Sequence, residues 1–336
     1  MHMADALVSP PVATGMAVAS LAVGAYSIFR IKKENKPENI PVMGVMGAFV
    51  FATQMVNFTI PGTGSSGHLC GGLLLSALIG PYGGFLSMMA ILLLQCLLFA
   101  DGGLMAYGCN VWNMAFYACF FGYFCIYKPI LSKNPSKKKI LIASILGSVL
   151  SLQLGAFSVT LERLISGVTE LPFLTFLSFM QPIHLAIGFV EGLITSAVLI
   201  FVYNTRPEML NINEKSNEFS FKKVIAILGI VTILIGGGIS LLASSSPDGL
   251  EWSMENVAGS TELDSKGSAY DKASEIQEKT AILPDYSISN SNNEILGTSF
   301  SGILGSVLVA VILIGGSLIF RFYKKGAKNE QTRKSA

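Results

Sequence analysis

Nine apolar stretches, each bounded by polar residues, decide what this chain can become. A helix rises 1.5 Å per residue, so about 20 apolar residues cross the hydrocarbon core of a bilayer. Stretches near that length lie at about 11–30, 40–58, 68–80, 82–100, 105–128, 139–161, 173–203, 221–243 and 300–323. The third is short and ends in the turn Gly80-Pro81-Tyr82-Gly83-Gly84, so 68–100 reads as two spans or as one. Apolar residues make up 51% of the 336 and charged residues only 13%, about half the charge of a soluble domain. In lipid every backbone polar group needs a partner within the protein, which leaves helices as the economical solution. The expected fold is all-α, a polytopic membrane helix bundle.

The basic residues orient it. With the amino terminus outside, the inner loops and carboxyl tail hold 19 of the 23 Lys and Arg residues; only Arg163, Lys266, Lys272 and Lys279 fall outside. This asymmetry predicts a multi-pass protein of the cell membrane with its amino terminus extracytoplasmic and its carboxyl terminus cytoplasmic. The first apolar run has no basic segment before it and ends in Arg30-Ile31-Lys32-Lys33, which reads as a stop-transfer flank rather than a signal peptide. The Met1 amine is therefore expected to persist.

A histidine at position 2 has a chelating geometry that no internal residue has. The Met1 amine, the His2 amide nitrogen and the His2 imidazole can close five- and six-membered rings around one cation. Such a planar set suits Ni(II), Cu(II) or Co(II), and one more imidazole completes it. His68 ends the glycine-rich loop Pro61-Gly62-Thr63-Gly64-Ser65-Ser66-Gly67, which this topology places on the same side of the membrane as Met1. The alternatives are an accidental terminal histidine and a solvated hairpin. Five cysteines, without CxxC spacing, read as packing residues, with Cys70 a soft ligand at most.

Met1-His2-Met3-Ala4-Asp5-Ala6-Leu7 followed by Ser9-Pro10, the loop Gly64-Ser65-Ser66-Gly67-His68-Leu69, and Phe99-Ala100-Asp101-Gly102-Gly103-Leu104 running into Gly108-Cys109-Asn110-Val111-Trp112-Asn113-Met114 resemble the CbiM/NikM family. Its members are the substrate-capture components of energy-coupling factor transporters for cobalt and nickel. The likeness covers about residues 1–205. It implies Ni(II) or Co(II) as transported substrate, held by the Met1 amine, the His2 amide and ring, and His68. It also implies a transmembrane coupling subunit and cytoplasmic ATPase subunits as partners. Many cobalt members continue after Met-His with an Ile-Met-Glu-Gly type of sequence; Met3-Ala4-Asp5-Ala6 departs from it and leaves the metal open.

Beyond 205 the composition changes. Residues 206–220 read as a polar linker, and 221–336 as a second domain whose two spans flank an outer loop of about 56 residues with ten acidic groups and three lysines. Pro247-Asp248-Gly249-Leu250-Glu251 resembles the PDGLE motif of the small CbiN/NikN-type accessory proteins, so the chain reads as a fusion of seven core spans with two accessory spans. The Ser/Asn/Glu-rich stretch 256–298 is expected to be loosely ordered.

Polar groups inside spans are costly and mark function or pairing. His184 and Glu191, two turns apart, are expected to face the interior in a hydrogen-bonded network or, less simply, to form a second metal stop. Gln95, Asn110 and Asn113 read as glue between helices or as support for the amino-terminal ligands. Gly44, Ala48 and Ala52 recur every four residues and form a stripe where a coupling subunit could approach closely, or else internal packing. The chain has no GK[ST] phosphate loop, HExxH run or convincing nucleophile dyad, and neither enzyme activity nor a nucleic-acid partner is expected. Competing readings are an intramembrane hydrolase using His68 or His184, a metal-gated channel without ATPase partners, and a cobalt-specific role in cobalamin synthesis.

Overall fold

A computed structural model describes residues 1–34, 39–210, 212, 220–261, 263, 265–288 and 294–334. In chain order the elements are α1 (Pro10–Glu34), α2 (Asn39–Gln54), β1 (Phe58–Ile60), β2 (Ser65–Gly67), α3 (Gly72–Ile79) and α4 (Pro81–Phe99). They are followed by α5 (Tyr107–Leu131), α6 (Lys137–Ser166), α7 (Phe173–Thr205), α8 (Phe221–Gly237), α9 (Gly249–Ala258), α10 (Ser268–Thr280) and α11 (Glu294–Lys334). The fold is a helical membrane bundle; its two short strands form one antiparallel hairpin, with Phe58 opposite Gly67 and Ile60 opposite Ser65.

Among the described residues, seven helices are long and apolar enough to cross a membrane: α1, α4, α5, α6, α7, α8 with its continuation to Leu242, and Gly297–Leu318 within α11. Two of the nine expected stretches form shorter helices. Helix α2 is an apolar helix of 16 residues, and the stretch 68–80 holds only the eight residues of α3. The reason lies at Gly71, whose φ of 86° is left-handed, and in Glu191, whose carboxylate accepts from the backbone N–H groups of Cys70 (2.9 Å) and Gly71 (3.1 Å). Those amides are thereby satisfied without a helical turn, so the chain enters the bundle non-helically, as irregular backbone can where protein surrounds it. All eight residues of α3 are buried, as expected of a helix apolar on every side.

The small-residue stripe of α2 is already filled. A side chain on Gly44 would meet Ile314, one on Gly47 would run into Leu313 and Val309, and Ala52 faces Gly236 of α8. Gly44 and Ala52 therefore face the chain's own helices α11 and α8, with Ala48 buried on the same helix, which is the internal-packing alternative for the stripe rather than the docking of a coupling subunit.

The outer loop also differs from expectation. Of the expected linker 206–220, residues 211 and 213–219 lie outside the described residues. Within 256–298, where a loosely ordered segment is expected, the helix α10 and the turn Pro284–Tyr286 lie against the core. Gln277 donates to the carbonyls of Cys96 (3.0 Å) and Gly102 (2.7 Å), Tyr270 to that of Val8 (2.9 Å), and the Leu283 amide to that of Leu98 (3.1 Å). Low apolar content does not prevent order where polar side chains find backbone partners. Residues 262, 264 and 289–293 of that stretch lie outside the described residues.

Candidate metal centre

The amino terminus is held by its own backbone. Asn110 on α5 accepts from the Met3 amide (2.7 Å) and donates to the Met3 carbonyl (3.0 Å), which also accepts from the Gly103 amide at 2.9 Å. Asp5 accepts from the Ala106 amide at 2.8 Å. Met3, Leu7 and Val8 are completely buried. A terminus usually frays unless it is tied down; here three hydrogen bonds at Met3 and one at Asp5 fix where residues 1 and 2 can go.

The imidazoles are poised by what their outer nitrogens touch. Gln54 donates to the Cys70 carbonyl (2.8 Å), and Gln95 donates to the Gln54 side-chain oxygen (2.9 Å). Because the chain of bonds ends on a carbonyl, its polarity is set, and the Gln95 oxygen is left to accept from His2 Nε2 at 3.2 Å. His2 Nδ1 then carries a lone pair, on the nitrogen that closes the six-membered chelate ring. In His68 the Nδ1–H donates to the Leu69 carbonyl (3.1 Å), so Nε2 carries the lone pair, and it lies 3.4 Å from the Met1 amine. The two rings stack with centroids 5.3 Å apart. Fixing the tautomer through the outer nitrogen is how proteins prepare histidine for metal.

Each nitrogen is meanwhile engaged by a carboxylate. His2 Nδ1 lies 3.0 Å from Asp101 Oδ1, while the other oxygen of Asp101 accepts from the Tyr286 hydroxyl. The Met1 ammonium is ion-paired with Asp248 Oδ2, which is 4.0 Å from His68 Nε2. Burial lowers His2 to about 3 and His68 to about 4, with the Met1 ammonium beside them acting in the same direction. Burial opposes the charges of both Met1 and Asp248, but their attraction outweighs it. The amine is held above its ordinary value and the Asp248 carboxyl below the usual carboxylate range. Burial raises Asp101, against the Tyr286 hydrogen bond and the nearby Met1 ammonium, which lower it. A cation held here by the Met1 nitrogen would have to displace the proton that the amine shares with Asp248.

Two cavities meet here. An open outer vestibule of about 820 Å³ is lined by His2, His68, Asp101, Asp248, Glu251 and Tyr286 among others. An inner cavity of about 10 Å³ is bordered by Met1, His68, Cys70, His184 and Asp248. His68 and Asp248 border both. Among the described residues no three His, Cys, Asp or Glu side chains are close enough to hold a metal by themselves; the donor set depends on the amine.

The remaining polar residues fall into separate places. His184 and Glu191 are both buried but do not bond to each other. His184 Nδ1 donates to the Met180 carbonyl at 2.8 Å and its Nε2 has no hydrogen-bond partner among the described residues, whereas Glu191 holds the 70–71 backbone. Asn113 donates to Glu162 at 2.7 Å, away from the amine. Sequence reasoning missed Asp101, Gln54 and Asp248 at this centre. Asp248 was visible only as a letter in a motif, and Asp101 only as a letter before a glycine pair.

Compared with known proteins, residues 2–209 match the profile of CbiM, the cobalt uptake substrate-specific transmembrane region, and residues 222–322 match the PDGLE domain. The chain belongs to the CbiM family. It is 32% identical to the putative fused nickel transport protein NikMN of Archaeoglobus fulgidus over 93% of this chain and 96% of that one. It is 30% identical to the probable fused nickel transport protein LarMN of Lactiplantibacillus plantarum over 76% and 79%. The cobalt transport protein CbiM of Sorangium cellulosum is 31% identical over 56% of this chain and 83% of its own. The crystal structure of a transition metal transporter superposes with a TM-score of 0.53 at 29% identity, covering 60% of this chain and 92% of that one. This CbiM-family chain is thus a multi-pass membrane transport protein and not an enzyme, and the matched crystal structure covers only part of its length.

Proposed function

We propose that the chain captures Ni(II) or Co(II) at the outer face of the membrane for ATP-driven uptake through a coupling subunit and cytoplasmic ATPases. The Met1 amine, the His2 amide, His2 Nδ1 and His68 Nε2 form the square base around the ion, with Asn110 holding Met3 and so the segment that bears the first three. The observation that carries this reading is the approach of His68 Nε2, its lone pair exposed by the Leu69 contact, to within 3.4 Å of an amine 67 residues away. Nickel is favoured, because the relatives matched along most of the chain are fused proteins named for nickel, while the cobalt-named relative matches the core. The amino terminus lies outside and the carboxyl terminus inside, as the basic loops require.

One residue added before Met1 moves the amine out of ring-closing range while leaving every side chain in place. Nickel and cobalt titrations of that variant are expected to show binding abolished; unchanged affinity would overturn the site. The channel reading is separated by vesicle uptake, which ATP drives only if the ATPase partners exist.

A further inference from the structure

We propose that Asp248 supplies an oxygen ligand to the transported ion, so that the cation site is shared between the core and the PDGLE domain. This rests on the amino-terminal nitrogens being the base of the site, and adds a donor from the other domain.

The carboxylate is prepared for this by dividing its two oxygens. Asp248 Oδ1 caps α9, accepting from the amides of Leu250 (2.8 Å) and Glu251 (2.9 Å), while Glu251 returns the bond to the Asp248 amide at 3.0 Å. This reciprocal box leaves Oδ2 alone to point at the Met1 amine and His68. The motif around it is seated on the core. The Pro247 carbonyl accepts from the Ser66 amide (2.8 Å), the Ser246 carbonyl from the Ser66 hydroxyl (2.7 Å), and the Thr63 carbonyl from Trp252 Nε1 (2.9 Å). Gly249 lets the seat close tightly, since a Cβ there would lie 2.9 Å from Ile187 Cδ1 and 3.1 Å from His184 Cε1 and would push those side chains back. Two residues before His68, Ser66 ties the strand that delivers the histidine to the segment that delivers the carboxylate.

The donors lie within closing distance of one ion. His68 Nε2 is 3.4 Å from the Met1 nitrogen and 4.0 Å from Asp248 Oδ2. Above a square base Oδ2 is a neighbour of every base nitrogen, and neighbouring donors about 2.1 Å from one ion stand about 3.0 Å apart, so His68 closes on the other two by about 1 Å or less as the ion is enclosed. Charge argues the same way. A divalent ion bound by a deprotonated amide and three neutral nitrogens keeps one positive charge in a buried place, and a buried charge without a partner is costly. The Asp248 carboxylate cancels it. Bordering both cavities, Asp248 also meets an ion arriving through the vestibule before the inner nitrogens enclose it.

The test uses the full-length purified protein, with Ni(II) as the probe. Asp248→Asn and Asp248→Ser both remove the carboxylate charge and keep a side chain that caps helices well; circular dichroism confirms the fold of each. Expected results are an affinity weaker by on the order of 10- to 100-fold, and a change in the nickel X-ray absorption edge from five nitrogen and oxygen donors in the parent protein to four in the variants. Unchanged affinity, tighter binding, or the same edge in parent and variants would each overturn the proposal; tighter binding would mean that Asp248 only competes for the amine. The variant extended before Met1, measured alongside, reports separately on the nitrogen base. If it still binds nickel as the parent does, the base itself fails, whatever the Asp248 variants show.

Discussion

At the scale of single residues, protons and metal compete for the same atoms, and the competition has a direction. His2 and His68, lowered to about 3 and 4, are neutral well below physiological pH, so they do not limit binding there. The Met1 amine is held above its ordinary value of 8.0 by Asp248 and, with the His2 amide, must lose a proton to become a ligand. Each proton released makes affinity rise about tenfold per pH unit. Affinity is therefore expected to climb between pH 6 and 8, with release of at least one proton per ion. Titration calorimetry in buffers of different ionisation enthalpy checks this, and a pH-independent affinity would contradict it. In the metal-free protein the sign is the reverse on the alkaline side. The Met1–Asp248 pair stabilises the fold below the amine's unfolded value, and that stability is lost as pH rises through the raised one. On the acid side the pair persists until pH falls below the ordinary carboxylate range. The histidines of this centre were legible in the sequence because position 2 is chemically singular. Asp248 was not, because its partner is 247 residues away and no local pattern links them.

At the scale of elements, one carboxylate decides where a span stops being a helix. Glu191→Ala would leave the Cys70 and Gly71 amides buried without partners, at about 1–3 kcal/mol each. Gly71→Ala would meet both a left-handed backbone and Val50 at 2.5 Å. Both variants are expected to lower the thermal midpoint of the purified protein and to weaken metal binding, since His68 lies only two residues before Cys70 in this segment. A parent-like melting curve for Glu191→Ala would show that the amides find other partners. The apolar run 68–80 is readable as membrane-buried from composition alone. That its first residues are non-helical is not readable, because the cause sits on α7, more than a hundred residues on. Most other spans were legible for the opposite reason, since in lipid a long apolar run has few options besides a helix.

At the scale of the whole molecule, the accessory half touches the core in two zones. Helices α8 and α11 pack on the stripe of α2, and residues between Pro247 and Tyr286 cover the end that carries the amino terminus. Small residues at intervals of four signalled a helix neighbour on α2 correctly in kind, but a pattern of small side chains carries no information about which chain the neighbour belongs to. Both zones are formed by described residues outside 213–219, so a break in the chain there is expected to leave the halves together. Residues 1–212 and 220–336, made as separate polypeptides in one cell, should co-purify in detergent, and Gly47→Phe, which collides with Leu313 and Val309, should separate them. Failure of the unaltered pieces to co-purify would place the association in the joint after all. The joint then acts on supply rather than on shape. A short tether holds its partner at an effective concentration on the order of millimolar, so the Pro247 seat at Ser66 is refilled at a rate independent of how many copies the cell makes. Two separate genes for the same halves would leave some cores bare whenever the accessory piece ran short; a single reading frame makes the ratio one to one at every level of expression.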